Sequence, residues 1–330
     1  MAQSACWGPL SLNLPWGWSI PLQAEFSQGQ PEVPTKDLMV VLLGPTASGK
    51  TALGIELALE LGCRVLSVDS RQIYQHMDVG TAKPSAAERA GVTHELLDVV
   101  PPNQPLNLQQ FCELAQPLIS AELGLGHLAL LVGGSGLYLQ ALSQGLQPPA
   151  VAPQAWLRQQ LDGLGQSCCH QLLSKADPIA AARIHPNDRI RTQRGLEVLY
   201  GTGKPLSSQQ GRRSPAFAVL ELGLDPPDLR QRIEQRSAAM YANGLVQETE
   251  LLQKLFGKDL ALLQTIGYAE AVALLAGDLN LEEAQALTAK RTWQFAKRQR
   301  TWFKNRHKPL WLSPQTALKD ALAAIAAAKA

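Results

Sequence analysis

Nowhere in this chain of 330 residues do about 18 apolar side chains run together, so the sequence predicts no membrane-spanning helix. Residues 1–36 contain Trp7, Trp16 and Trp18, but lack the basic start and continuous apolar stretch of a signal peptide. They read as a disordered extension, or as the product of a start codon placed too early, because strand-like sequence begins only near Leu38. Cysteine is scarce: Cys6, Cys63, Cys112, Cys168 and Cys169 make five, odd in number and irregular in spacing. Such a set builds no disulfide framework and suits a reducing compartment, so a cytoplasmic protein is expected. Cys168-Cys169-His170 lacks the usual two-residue gap between zinc ligands, and no second Cys/His pair follows, so these read as ordinary core or surface thiols. A large net charge is missing too, at +2 formally, but that total hides a strongly basic stretch from Lys290 to Lys308.

What is present suffices for a sizeable core, with 45% hydrophobic and 18% charged residues in a length that holds one large or two modest domains. Leu38 to Leu43 is an apolar run of strand length leading straight into Gly44-Pro45-Thr46-Ala47-Ser48-Gly49-Lys50-Thr51. A helical pattern follows in Ala52, Leu53, Ile55, Ala58, Leu59 and Leu61. Strand, G-x-x-x-x-G-K-[ST] loop and helix in this order are the context of a P-loop. Gly44 and Gly49 permit a backbone curl that turns successive N–H groups inward, toward the positive end of the next helix. Lys50 can place an ammonium on outer phosphate oxygens, and the Thr51 hydroxyl suits a bridging Mg²⁺. The loop is expected to bind a polyphosphate, as nucleotide- and ATP-binding proteins do, or a pyrophosphate; by itself it does not say which.

Arg64 to Val68 reads as a short buried strand that delivers Asp69-Ser70-Arg71-Gln72. Carboxyl ends of parallel strands face the ligand crevice, so Asp69 belongs near the phosphates. A carboxylate there can ligate Mg²⁺, accept a proton or cap the next helix; the proton-acceptor role is favoured, since the metal or Lys50 keeps it ionised. His94 alone reads as a structural histidine. Leu128 to Val132 is a second clear strand, and it ends in Gly133-Gly134-Ser135-Gly136 where a nucleotide hydrolase usually carries a Mg²⁺-linked aspartate. That substitution favours a transferase using its P-loop differently.

Pro148, Pro149 and Pro153 mark a linker, and residues 147–212 read as a helical insertion containing Arg158 and, three apart on one helical face, Arg191 and Arg194. Strand character returns at Ala216 to Gly223. Arg232 and Arg236 then stand at i, i+4, suited to the charge of a departing pyrophosphate. The last basic stretch interleaves Trp293, Phe295, Trp302 and Phe303 with Lys297, Arg298, Arg300 and Lys304. That mixture suits RNA through phosphate neutralisation and stacking, and equally an amphipathic helix with aromatics inside and cations in water. The fold expected is α/β: a P-loop NTPase-like parallel sheet flanked by helices, over 37–146 and 213–330, with the helical insertion at 147–212 and a helical C-terminal region.

The series Gly44 to Thr51, Asp69-Ser70-Arg71-Gln72-Ile73-Tyr74, Met77 to Pro84, Gly133 to Tyr138, His185 to Val198, Gln264 to Tyr268 and Thr292 to Phe303 resembles, in order, the tRNA dimethylallyltransferases, also called tRNA isopentenyltransferases. The resemblance spans about residues 38–304. It implies transfer of a dimethylallyl group from dimethylallyl diphosphate to N6 of the adenosine just 3′ of the anticodon, in tRNAs reading codons that begin with U. By similarity Thr46 to Thr51 cradle the leaving diphosphate with Mg²⁺, Arg232 or Arg236 helps neutralise it, and Asp69 accepts the N6 proton. Asp69, Ser70, Arg71, Gln72, Ser135, Arg158, Ile190, Arg191, Arg194, Gln264, Gly267, Tyr268, Thr292, Gln294, Lys297, Arg298 and Gln299 fall where the family touches the tRNA anticodon stem-loop. The target base is expected to flip into the channel. A monomer is the default.

Against the common family pattern, Ser135 stands where threonine is usual, Ile190 where glutamine is, Glu95 where histidine or tyrosine is, and Trp293 at a frequent arginine. The loss of glutamine at Ile190 removes a polar RNA contact. Two enzymatic rivals remain: an adenylate isopentenyltransferase with a free nucleotide as acceptor, and a P-loop small-molecule kinase. A non-enzymatic RNA-binding module would leave Lys50, Thr51 and Asp69 without a purpose.

Overall fold

The computed structural model describes residues 11–13, 19–21, 37–149, 151–209 and 211–330. In a first compact unit, Met1–Thr35, β1 (Ser11–Asn13) and β2 (Ser19–Pro21) pair antiparallel. The remainder of the expected disordered extension, 1–36, lies outside the described residues.

The second unit, Lys36–Ala330, opens on β3 (Leu38–Leu43), buried at all six positions. A run with no polar alternation is what a strand covered on both faces requires, and each such Leu or Val contributes about 1.5–3 kcal/mol relative to exposure. The P-loop leads to α1 (Lys50–Leu61), then come β4 (Val65–Val68), β5 (His94–Glu95) and α2 (Leu108–Gly124). Asn107 caps α2 reciprocally with Gln110, each side chain accepting the other's backbone N–H at 3.0 Å. β6 (Ala129–Gly133) and α3 (Gly136–Gln144) complete the first half.

β7 (Leu146–Gln147) then leads into α4 (Ala155–Leu164), α5 (Gln166–Ala176), α6 (Pro178–Ala181), α7 (Arg189–Thr202) and α8 (Leu206–Gln209). β8 (Gly211–Arg212) closes the excursion by pairing antiparallel with β7. These helices bury a cluster of their own, around Leu157, Leu161, Leu173, Leu196 and Leu206. β9 (Ala218–Gly223) re-enters the main sheet beside β3. It is followed by α9 (Leu229–Ala242), α10 (Leu245–Phe256), a 3-10 turn at Ala261–Gln264, α11 (Tyr268–Ala276), the 26-residue α12 (Leu281–Arg306), β10 (Leu310–Trp311) and α13 (Ala317–Lys329).

The main sheet is parallel throughout, in the order β10-β9-β3-β6-β4-β5. This confirms the expected parallel α/β core. On one face Leu38, Val40 and Leu42 pack with Leu53 and Leu57 of α1 and Ala321 and Ile325 of α13. α3 lies against β3 and β6, and α12 against α3 and α9. In register, Leu43 stands beside Gly133 and Gly133 beside Val68, so the P-loop, the Gly134 turn and Asp69 leave the sheet at one edge. A Cβ on Gly133 would fall 2.1 Å from the Val68 carbonyl oxygen. The crowding of neighbouring strands is thus the reason for glycine where the aspartate of a nucleotide hydrolase would stand.

Candidate active site

At the start of α1, Gly49 sits in the left-handed region at φ 92°, the curl that swings the P-loop amides inward. The Ser48 hydroxyl is buried without a partner. A buried hydroxyl left unpaired costs about 1–3 kcal/mol, which a bound oxyanion relieves. Lys50 places Nζ 3.3 Å from the Pro45 carbonyl. Burial lowers its amine from the ordinary 10.5 to about 8; Asp69 opposes that shift and Arg236 adds to it. A cation made costly by desolvation gains most from an arriving anion.

Asp69 leaves β4 and folds its Oδ1 back onto the N–H groups of Arg71 at 2.8 Å and Gln72 at 3.4 Å. This is the turn-capping role, carried by one carboxylate oxygen, Oδ1. Ser135 caps α3 and its Oγ accepts the Ser70 N–H at 2.9 Å, so the Asp69–Gln72 turn and the Gly134 turn hold each other. Gln72 reaches across to the carbonyls of Thr81 and Ala82, at 3.2 and 3.1 Å.

Two later helices bring in the rest. The Arg236 guanidinium on α9 donates to Thr46 Oγ1, and burial lowers its pKa while Asp69 raises it. Arg232, one turn earlier, pairs with Asp228 at 2.8 Å and still lies over the P-loop, its guanidinium 3.7 Å from where a Cβ on Gly49 would fall. Gln299 on α12 accepts the Thr46 N–H and donates to the Gly134 carbonyl, both at 2.8 Å. A cavity of about 330 Å³ opens beside Thr46, Asp69, Ser135, Arg236, Phe295 and Gln299. Asp69, Arg236 and Thr46 also wall a space of about 70 Å³ that contains Lys50 and Thr51. An outer cavity of about 630 Å³ lies over Ala47–Thr51, with Arg232 on its wall. Asp69 thus stands between the phosphate loop and the cavity beneath α12.

The residues expected at an RNA surface divide. Arg71, Gln264 and Thr292 line the cavity of about 330 Å³, and Gln294, Lys297 and Arg298 are exposed on α12. Lys297 lies 5.9 Å from the Trp293 ring and Arg298 5.8 Å from that of Phe295. Phe303 is fully buried while Phe295 lines the cavity, so α12 packs one face inward and leaves its cations on the other. Ile190 is 73% exposed at the start of α7, and Arg191 pairs only with Asp188, at 3.4 Å. Arg158 and Arg194 instead converge on the buried Glu197, at 2.6 and 3.3 Å. Gly267 is buried at φ 94° before α11. The Tyr268 ring is fully buried, its hydroxyl donating to Glu248, and burial pushes its pKa upward.

Sequence reasoning missed Glu248. Its carboxylate accepts the N–H groups of Asp78, Val79 and Gly80 at 2.9, 2.8 and 3.0 Å and so shapes the loop that walls the cavity. It also missed Glu197, and Glu270, which accepts from Arg291. Glu248 acts across 20 to 170 residues and carries no local mark, whereas Glu197 and Glu270 also bind three residues away, to Arg194 and the Gly267 N–H, a spacing that could have pointed to them.

Comparison with known proteins reaches the same elements. The IPP transferase family model matches residues 72–306 and the isopentenyl transferase model residues 38–102. The chain is similar to a tRNA dimethylallyltransferase of Synechococcus sp. (strain RCC307), 68% identical over 88% of this chain and 99% of that one. It is also similar to that of Parasynechococcus marenigrum (strain WH8102), 58% identical over 87% and 96%. Among solved structures, a full-length tRNA isopentenylpyrophosphate transferase from Bacillus halodurans matches with TM-score 0.64 and 34% identity over 88% and 96% of the chains. A eukaryotic dimethylallyltransferase acting on tRNA matches with TM-score 0.74 and 28% identity over 88% and 79%.

Proposed function

The chain belongs to the IPP transferase family, and from that we propose that it moves a dimethylallyl group from dimethylallyl diphosphate to N6 of the adenosine 3′-adjacent to the anticodon, in tRNAs reading codons that begin with U. The observation that carries this reading is the position of Asp69, which borders both the phosphate loop and the cavity beneath α12. A leaving diphosphate belongs on the Ala47–Thr51 amides, Ser48, Lys50 and Arg236. The acceptor base enters by the cavity edged by Arg71, Ser135, Gln264 and Thr292.

In the transfer, the bond from the allylic carbon to the diphosphate oxygen breaks and its electron pair leaves with the diphosphate. The N6 lone pair forms the new bond to that carbon, and the N6 proton passes to Asp69. Lys50 and Arg236 stabilise the charge that develops on the departing oxygen, in the space they share with Asp69 and Thr51. Arg236, held on Thr46, fits this role, and Arg232, paired with Asp228 over Gly49, adds a second cation at the outer opening. No hydrolysable nucleotide is needed.

The donor set suits Mg²⁺. The Thr51 hydroxyl shares the small space with Asp69, and among the described residues no cluster of three or more His, Cys, Asp or Glu forms a full cage. Mg²⁺ commonly takes its other ligands from phosphate oxygens and water. When bound, it neutralises charge on the diphosphate. Every group named lies on one chain, so a monomer is sufficient. Helices α4 to α8 and the exposed Lys297 and Arg298 supply the surface for the anticodon stem-loop. Action on tRNA fits the cytoplasm, and among the described residues no helix is long and apolar enough to cross a membrane.

The test is mass spectrometry of nucleosides from unmodified tRNA incubated with the protein, Mg²⁺ and dimethylallyl diphosphate, beside a reaction containing AMP. N6-dimethylallyladenosine in the tRNA alone supports the proposal. Product in AMP alone replaces it with an adenylate isopentenyltransferase, and ATP consumption without prenylation replaces it with a small-molecule kinase.

A further inference from the structure

Gln299 lies within a segment whose family counterpart touches tRNA, yet its side chain is 93% hidden and points away from the exposed face of α12. Its carbonyl oxygen accepts the Thr46 N–H at 2.8 Å, and its amide nitrogen donates to the Gly134 carbonyl at 2.8 Å. A primary amide is the side chain that both accepts and donates at this length while neutral. The site is built for it: a Cβ on Gly134 would fall 2.7 Å from Gln299 Nε2. Its neighbours on α12, Lys297 and Arg298, are exposed. Thr46, the P-loop residue it holds, also receives Arg236 through Oγ1. Thr46 is therefore clamped from α12 through its backbone and from α9 through its hydroxyl, and its N–H is not free for a phosphate.

We infer that Gln299 is a positioning residue for the diphosphate rather than an RNA contact: it sets the P-loop at Thr46, and with it the inward placement of Arg236. Donor binding thereby depends on how α12 is seated. The inference rests on the prenyl-transfer reading only for the identity of the donor. The pyrophosphate-binding loop it concerns exists under the kinase reading as well.

The experiment uses the full chain and inorganic pyrophosphate with Mg²⁺ as the probe, titrated calorimetrically into wild type, Gln299→Met and Arg298→Met. Binding of an anticodon stem-loop RNA is measured on the same three proteins. Methionine matches glutamine in length and removes both hydrogen bonds without adding charge. The expected result is a loss of about tenfold in pyrophosphate affinity for Gln299→Met, with unchanged RNA affinity, because buried hydrogen bonds of this kind are lost together. Arg298→Met is expected to do the reverse. In steady state the same split appears as a raised KM for the prenyl diphosphate with an unaltered KM for tRNA. Unchanged pyrophosphate affinity in Gln299→Met, or a loss matched by a loss of RNA affinity, overturns the inference. If Gln299→Met folds poorly, Gln299→Asn serves, since it is too short to span both partners; pyrophosphate affinity equal to wild type then overturns it. Absence of prenyl transfer in any protein, with the pyrophosphate split intact, refutes the assigned reaction and leaves the role of Gln299 standing.

Discussion

The hydroxyl of Tyr268, at the start of α11, donates to the Glu248 carboxylate of α10 at 2.6 Å, and that carboxylate in turn collects the N–H groups of Asp78, Val79 and Gly80. One carboxylate thus joins two C-terminal helices to the loop over the cavity. Replacing Glu248 with Ala strands three backbone donors and a buried phenol. It is expected to cost about 3 kcal/mol or more in denaturant unfolding. Hydrogen exchange confined to residues 77–83 would be the first sign. Tyr268→Phe leaves the backbone bonds in place, so about 1 kcal/mol is expected from it.

Asp69→Asn separates the two duties of that residue. Asparagine keeps an oxygen for the Arg71 N–H, held at 2.8 Å in the native turn, but no longer takes up a proton. Turnover is expected to fall by about a hundredfold to ten-thousandfold, with RNA affinity and melting temperature close to wild type. Single-turnover prenylation alongside filter binding checks this. Undiminished turnover removes Asp69 from the proton transfer.

Lys50 makes the empty site sensitive to pH. Its amine, lowered to about 8, is charged below that pH and neutral above it, so pyrophosphate affinity is expected to decline as pH rises through about 8. Lys50→Arg abolishes the decline, because guanidinium stays charged. Stability runs the opposite way. Between about 8 and the ordinary 10.5 the unfolded chain binds more protons than the folded one, so Lys50 weighs against folding below about 8 and ceases to do so as pH rises. Lys50→Met is therefore expected to raise the melting temperature of the ligand-free protein at pH 7, with the gain fading toward pH 10.5.

Glu197 holds the neck of the helical segment. It accepts from Arg158 at 2.6 and 2.8 Å, from Arg194 at 3.3 Å and from the Gln154 N–H at 3.0 Å. Burial by itself would raise its pKa, but the Arg158 and Gln154 hydrogen bonds outweigh burial and hold the carboxyl below the usual 4.5. Its contribution to stability is therefore present above pH 4.5 and lost as pH falls below that value. Glu197→Ala is expected to cost about 2 kcal/mol, less than a fully buried pair, since both arginines can hydrate. Acid unfolding followed by circular dichroism, with and without the substitution, checks both statements.

The linear order of residues determined the parallel core, the P-loop and the place of Asp69. Those follow from local facts: an unbroken apolar run makes a doubly covered strand, glycines permit a curl, and strand ends share one edge. Family resemblance named the reaction on the same contiguous motifs. Only the tertiary structure decided what the scattered polar side chains do. Arg232 and Arg236 stand one turn apart and look equivalent on paper, yet α9 packs so that Arg236 donates to Thr46 while Arg232, at the rim of the P-loop cavity, pairs with Asp228. Arg158 and Arg194 read from sequence as separate cations, and only packing brings both onto the buried Glu197. Glu248 carries no signature, and the motif that contains Gln299 does not reveal what it holds, because their partners Thr46, Gly134 and the Asp78–Gly80 amides lie more than 160 residues away. A hydrogen bond is set by where two chain segments meet, and that meeting is fixed by the packing of whole helices, which no short pattern contains.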